Sequence, residues 1–104
     1  MTEYIYFVTS PNIETSKMIA SILVKEKIAA CVNIISNILS MYWWKDKIEE
    51  SEENLLIIKT TSTNQNKLKE IIKKNHPYET PECVGFPIQD GLEKYLAWIR
   101  DSVR

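Results

Sequence analysis

Hydrophobic residues near the start of the chain alternate between strand-like and helix-like patterns. The runs YIYFV at residues 4–8 and ACVNII at residues 30–35 are rich in aromatic and β-branched side chains, which is typical of strands. Between them, residues 13–27 place apolar side chains at helical spacing, and Asn12 can cap that helix. The first third of the chain therefore predicts a strand, a helix and a second strand.

The second half repeats this order. Residues 54–61, NLLIIKTT, contain four consecutive apolar residues, which favours a central strand covered on both faces. Ser62 or Thr63 can cap a following helix that ends before Pro77. Residues 82–88 predict a last strand at the edge of the sheet, because Pro87 cannot donate a ladder hydrogen bond.

A further helix is predicted from about residue 90 to the end of the chain. Its apolar stripe has the best helical spacing in the sequence and must pack against something apolar. The stripe consists of Leu92, Tyr95, Leu96, Ile99 and Val103. The element order is then β-α-β-β-α-β with one added helix, which predicts an α+β, ferredoxin-like sandwich formed by a single domain at residues 1–104. Right-handed crossovers place both main helices on one face of the sheet.

The second and third strands form an unusually long hairpin at residues 31–61, with its tip at residues 45–47. This hairpin should project beyond the core and expose large apolar side chains, and we call its projecting end the arm. Trp43 and Trp44 are adjacent, so they face opposite sides of a strand and cannot both fill one core. We expect Tyr42, Trp43 and Trp44 to lie in an interface.

Composition excludes several classes of function. The 13 Lys and Arg against 14 Asp and Glu give a net charge of -1, so nucleic acid is not an expected partner. Only 2 glycines are present, which excludes a glycine-rich phosphate loop. No apolar run approaches the length of a membrane span, and we expect a cytoplasmic protein with reduced Cys31 and Cys83.

Five ordered motifs resemble the CutA family of divalent-ion tolerance proteins. They are AACVNI at residues 29–34, YWW at 42–44, IKTT at 58–61, HPYETPE at 76–82 and YLAWI at 95–99. The resemblance implies a ferredoxin-like subunit, a homotrimer in which the arms pair with neighbouring subunits, and an association with copper and other divalent metals. Asp46 departs from the family's usual glycine after the tryptophans, and Cys83 from its usual aliphatic residue after Pro-Glu.

The candidate metal ligands are His76, Glu79, Cys31 and Cys83. Copper(I) favours sulfur, whereas copper(II) favours His76 with oxygen ligands such as Glu79 or Glu82. No paired Cys or His has the short spacing of a closed zinc site. Each cysteine has the alternative of being a small buried core residue.

Lys59 and Tyr78 are the candidates for binding a small ligand. Lys59 follows four apolar residues, so its charge must reach water, a carboxylate or an anionic ligand. Pro77 and Pro81 bracket Tyr78 and hold its loop extended. We expect Lys59 and this loop to approach one cleft near a subunit boundary.

Two function classes remain after these observations. The leading hypothesis is a trimeric divalent-cation tolerance protein that binds copper or another divalent metal ion. The alternative is a signalling module like the trimeric PII proteins, which would bind a small anionic ligand between subunits. An enzyme is not expected, because no local motif gives a cysteine both a base and an orienting group.

Overall fold

The computed structural model describes all 104 residues as one antiparallel sheet with helices. The strands follow the order β2-β3-β1-β4, which places β3 inside the sheet and β4 at an edge, as predicted. This α+β, ferredoxin-like arrangement confirms the fold expected from the sequence. The elements are β1 (Glu3–Ser10), α1 (Ile13–Lys25), β2 (Cys31–Trp44), β3 (Lys47–Thr61), a 3-10 turn (Ser62–Asn64), α2 (Gln65–Asn75), β4 (Cys83–Pro87) and α3 (Glu93–Ser102).

One face of the sheet is closed by α1 and α2. Alternate residues of β1 and β3 point to this side, and cross-strand pairing joins Tyr6 to Ile58 and Val8 to Leu56. These side chains form one buried cluster with the apolar faces of both helices. The helical members of the cluster are Ile19, Leu23, Leu68 and Ile72. Both main helices therefore share one face, as the crossover rule predicts.

The two helices begin differently. At α1, Asn12 Oδ1 accepts a hydrogen bond from the Thr15 amide at 2.8 Å, which confirms the predicted cap. At α2, the prediction of a cap from Ser62 or Thr63 is wrong, because both residues lie in the 3-10 turn. The residue before α2 is Asn64, whose side chain instead donates to the Arg104 carbonyl at 3.1 Å and ties the end of the chain to this turn.

The opposite face of the sheet, which we call the open face, is also apolar but largely uncovered. It carries Ile5 and Phe7 of β1 with Leu55 and Ile57 of β3. Phe86 of β4 joins them, and its ring meets the Phe7 ring edge-on at 5.4 Å between centroids. Helix α3 packs against β1 and β3, and Arg100 bonds Glu3 at 2.9 Å.

Helix α3 buries little of its predicted stripe within the chain. Ile99 is fully buried, whereas Leu92 is 83% exposed and Tyr95 is 43% exposed. The chain itself therefore supplies apolar cover for only part of this helix. No helix is long and apolar enough to span a membrane.

The arm consists of the distal halves of β2 and β3, and it turns at Lys45 and Asp46 with φ of 50° and 65°. Asp46 thus adopts the left-handed conformation that glycine would take more easily. A register shift between Ile35 and Ile38 marks the base of the arm. Trp43 and Trp44 point to opposite faces of the arm, as predicted.

Each face of the arm has its own chemistry. One face, which we call the apolar face, is exposed and carries Leu39, Met41, Trp43 and Ile48 together with Glu50 and Glu52. The other face, which we call the mixed face, carries Ser40, Tyr42, Trp44, Ser51 and Glu53. The second group mixes aromatic rings with hydroxyl groups and a carboxylate, so the two faces suit different contacts.

Candidate functional site

A cavity of about 720 Å³ lies between the mixed face of the arm and the loop at residues 76–82. We call it the arm cleft. The loop follows α2 and leads into β4, and its residues Tyr78, Glu79 and Glu82 line the cleft. The arm contributes two aromatic rings, two serine hydroxyls and Glu53. The cleft therefore brings together the most polar motif of the sequence and the aromatic end of the arm.

His76 fixes the loop in place. Its side chain is buried, and its Nε2–H donates to the Thr9 carbonyl at 2.6 Å. Its Nδ1 accepts a hydrogen bond from the Tyr78 amide at 3.2 Å. Both ring nitrogens are therefore engaged in the neutral tautomer, and neither has a lone pair free for a metal ion. In this geometry His76, which was predicted to bind a metal ion, positions the loop.

Tyr78 lies in the cleft, as expected for a ligand-binding residue. Its hydroxyl donates to Glu53 Oε2 at 2.9 Å, and its ring packs on the His76 ring at 4.8 Å between centroids. Burial, followed by the hydrogen bond to Glu53 and the charge of Glu53, together raise the pKa of Tyr78 to about 12. The phenol therefore stays protonated and acts as a donor.

Glu53 is the site residue that the sequence analysis missed. Its side chain lies within the cleft wall, and only 7% of the residue is exposed. Both salt bridges of the chain involve Arg100, so Glu53 has no cationic partner. A usable signal was its spacing, because Glu53 shares its strand face with Leu55 and Ile57. The sequence analysis did not select Glu53 because it stands among other acidic residues of the arm.

Within the single chain, Lys59 does not line the arm cleft with the Tyr78 loop, and a cleft shared between subunits stays a prediction. Lys59 follows Glu53 by six residues along β3, which separates them by about 20 Å in an extended strand. Its ammonium group donates a hydrogen bond to Asn33 instead. Strand β3 runs away from the arm, so it carries Lys59 away from Glu53 and the loop.

The two cysteines lie at opposite edges of the sheet. Cys31 pairs with Lys59 and points to the open face, whereas Cys83 of β4 packs against the buried cluster. Burial raises the pKa of the Cys83 thiol. No group of three or more His, Cys, Asp or Glu side chains converges to hold a metal ion. One chain therefore does not assemble the predicted set of His76, Glu79, Cys31 and Cys83.

Comparison with protein families matches residues 4–102 to the CutA1 divalent ion tolerance protein family. The chain belongs to this family. A divalent-cation tolerance protein CutA from Thermus thermophilus is 43% identical over 100 residues, covering 96% of this chain and 97% of that protein. A crystal structure of CutA1 from Oryza sativa superimposes with a TM-score of 0.96 at 43% identity, covering all of this chain and 95% of the other.

The relatives differ in length. The chain spans 56% of a chloroplastic CutA protein from Oryza sativa, to which it is 45% identical over 100 residues. That match still covers 96% of this chain. The shared unit is therefore the ferredoxin-like domain with its arm.

Proposed function

We propose that the chain acts as a homotrimeric divalent-cation tolerance protein in the cytoplasm and binds divalent metal ions, copper among them, at the arm cleft. The observation that carries this proposal is the charge of the cleft. Glu53, Glu79 and Glu82 line it, and no Lys or Arg does. A cleft with this lining attracts cations and repels anions.

The donor set favours a weak site made of oxygen ligands. Glu79 and Glu82 are exposed at the mouth of the cleft, where each can offer a carboxylate while water completes the coordination. Met41 is the only sulfur in the lining, and both thiols lie elsewhere. The set therefore fits a divalent ion such as copper(II) better than copper(I), and a second subunit would add ligands.

The acidic lining of the arm cleft supports a PII-like module less well than it supports metal binding. Recognition of a small anionic ligand needs basic side chains or a cluster of free backbone amides. Lys59, the basic residue that was expected to serve, bonds Asn33 outside the cleft. Binding of a nucleotide at the arm cleft would favour this alternative over metal binding.

The trimer is supported by two uncovered apolar surfaces, the open face and the apolar face of the arm. Trp43 is 71% exposed and Leu39 is 65% exposed in the single chain. Contiguous apolar surface of this kind marks an interface. An arm that packs on the next subunit makes a head-to-tail contact, which must close into a ring if the protein is to stay soluble.

The test of metal binding is calorimetric titration of the metal-free protein with copper(II) and zinc. We expect Glu79→Gln with Glu82→Gln to weaken binding about fivefold, equivalent to roughly 1 kcal/mol. The matched control is Glu50→Gln with Glu52→Gln, which removes the same charge from the other face of the arm. Equal binding by both double variants, or wild-type binding of nucleotides alone, would overturn the proposed site.

A further inference from the structure

Glu53 carries a charge that the chain does not balance. A buried carboxylate without a cationic partner costs free energy, unless hydrogen bonds or a bound cation compensate it. The hydrogen bond from Tyr78 reaches Oε2, and the structure records no hydrogen bond to Oε1. No fully buried side-chain oxygen lacks a hydrogen-bond partner, so Oε1 keeps some accessible surface, and Glu53 lines the arm cleft. Oε1 is therefore an acceptor available to a ligand in the cleft.

The surroundings of Glu53 are aromatic. The rings of Tyr42, Trp44 and Tyr78 line the same cleft. Aromatic faces attract ammonium ions, and the Lys45 ammonium lies 5.8 Å from the centre of the Trp44 ring. Ser51 lines the cleft as well and offers a hydroxyl oxygen. A carboxylate, a hydroxyl and several rings form the usual surroundings of an organic cation.

A metal ion requires a different environment at this depth. Divalent cations need about six oxygen ligands, and water can supply the missing ones only where the site is open to solvent. Glu53 is the one buried carboxylate of the lining, whereas Glu79 and Glu82 are exposed. A primary ammonium ion needs only two or three acceptors, and its carbon chain gains from contact with rings.

We propose that the arm cleft binds a primary alkylammonium ion, with an N–H donated to Glu53 Oε1 and the carbon chain against Tyr42, Trp44 and Tyr78. The cavity of about 720 Å³ lies within the range typical of small-molecule sites. Both proposals use the arm cleft, but the ammonium group is assigned to Glu53 and the metal ligands are Glu79 and Glu82. The test uses metal-free protein and a variant of Glu53 alone, so its failure is distinguishable from failure of metal binding.

The experiment is calorimetric titration of the full chain, free of metal, with n-butylammonium chloride. We expect saturable binding, and we expect n-butanol and ammonium chloride each to bind at least about tenfold more weakly, a difference of roughly 1.4 kcal/mol. The alcohol lacks the charge, and the ammonium ion lacks the carbon chain. Equal binding of either compound, or no binding of n-butylammonium, would overturn the proposal.

The decisive variant is Glu53→Gln, which removes the charge and keeps an oxygen that can accept from Tyr78. We expect it to weaken n-butylammonium binding at least about tenfold. Glu52→Gln is the matched control, because Glu52 is the adjacent residue on the other face of the arm. Circular dichroism checks that both variants fold. Unchanged affinity of a folded Glu53→Gln variant contradicts the proposal.

The ammonium group could belong to a free amine or to a lysine side chain of another protein. Titration with Nα-acetyl-lysine methylamide distinguishes these sources, because it presents the same ammonium group on a peptide backbone. Tighter binding of n-butylammonium supports a free amine as the ligand, and tighter binding of the lysine derivative supports a lysine side chain. Binding of neither compound overturns the site.

Discussion

The two faces of the sheet carry similar apolar residues, but they differ in how far the helices bury them. On the closed face, Val8 and Leu56 are fully buried by α1 and α2. On the open face, Phe86 is 43% exposed and Val84 is 54% exposed. Strand alternation supplies apolar side chains to both faces, but α1 and α2 cover the closed face, whereas only α3 packs on the open face. The closed face is therefore stabilised by contacts within the chain, whereas the open face depends on another molecule to cover it.

The largest effect is expected on the closed face. Leu23→Ala should lower the free energy of unfolding by about 2–5 kcal/mol, because Leu23 is fully buried and its removal leaves a cavity. Leu92→Ala is the matched control at 83% exposure and should change the free energy by less than about 0.5 kcal/mol. Urea denaturation measures both. Equal losses would mean that the two leucines have similar burial in solution.

On the open face, the expected effect is on assembly. Phe86→Lys should dissociate the proposed trimer, because it replaces an apolar contact of about 1.5–3 kcal/mol per subunit with a charge. Val24→Lys on α1 is the control, since Val24 is 44% exposed and Phe86 is 43% exposed. Light scattering during size-exclusion chromatography should give about three times 12.1 kDa for the wild type and for Val24→Lys. A wild-type mass near one subunit would remove the trimer.

Two glycines allow a local comparison, Gly85 within the edge strand β4 and Gly91 between β4 and α3. Gly85 points to the closed face, and a Cβ there would come within 2.5 Å of the Tyr6 ring. Gly85→Ala should therefore cost about 1–3 kcal/mol through overpacking. At Gly91 an added Cβ would meet the flexible Leu96 side chain at 3.2 Å, so Gly91→Ala should cost less. Thermal unfolding of both variants tests whether β4 packs closely against the Tyr6 ring, as the larger expected loss for Gly85→Ala requires.

Local patterns in the sequence were sufficient for most of the fold. The cap at Asn12 depends on nearby residues, and so do the turn at Asp46 and the edge position of Pro87. The start of α2 was mispredicted because Asn64 bonds the Arg104 carbonyl, a contact across 40 residues. Such a partner is not visible in a short window of sequence.

The site was harder to predict because it depends on tertiary geometry. Whether His76 could bind a metal depended on Thr9, which lies 67 residues earlier and occupies Nε2. Cys31 and Cys83 are separated because strand register sends them to opposite faces. Glu53 could have been selected from its spacing to Leu55, but the sequence does not show that Tyr78 reaches it.

The smallest predicted effect concerns the pH dependence of stability at the arm cleft, where Glu53 continues the strand face of Leu55 and Ile57. The pKa of Tyr78 is about 12 in the folded chain against an ordinary value of 10.0, first because of burial and then because of Glu53. The folded state therefore holds the phenol proton more tightly than the unfolded state, so this stabilisation is complete below pH 10 and is lost as the pH rises towards 12. Urea denaturation across this range should show a shallower loss of stability for Tyr78→Phe than for the wild type. Glu53→Gln should be intermediate, because it removes the charge and leaves the burial. Identical slopes for the wild type and Tyr78→Phe would show that the phenol is solvated, and that the loop does not close on the arm as tightly as the hydrogen bond to Glu53 requires.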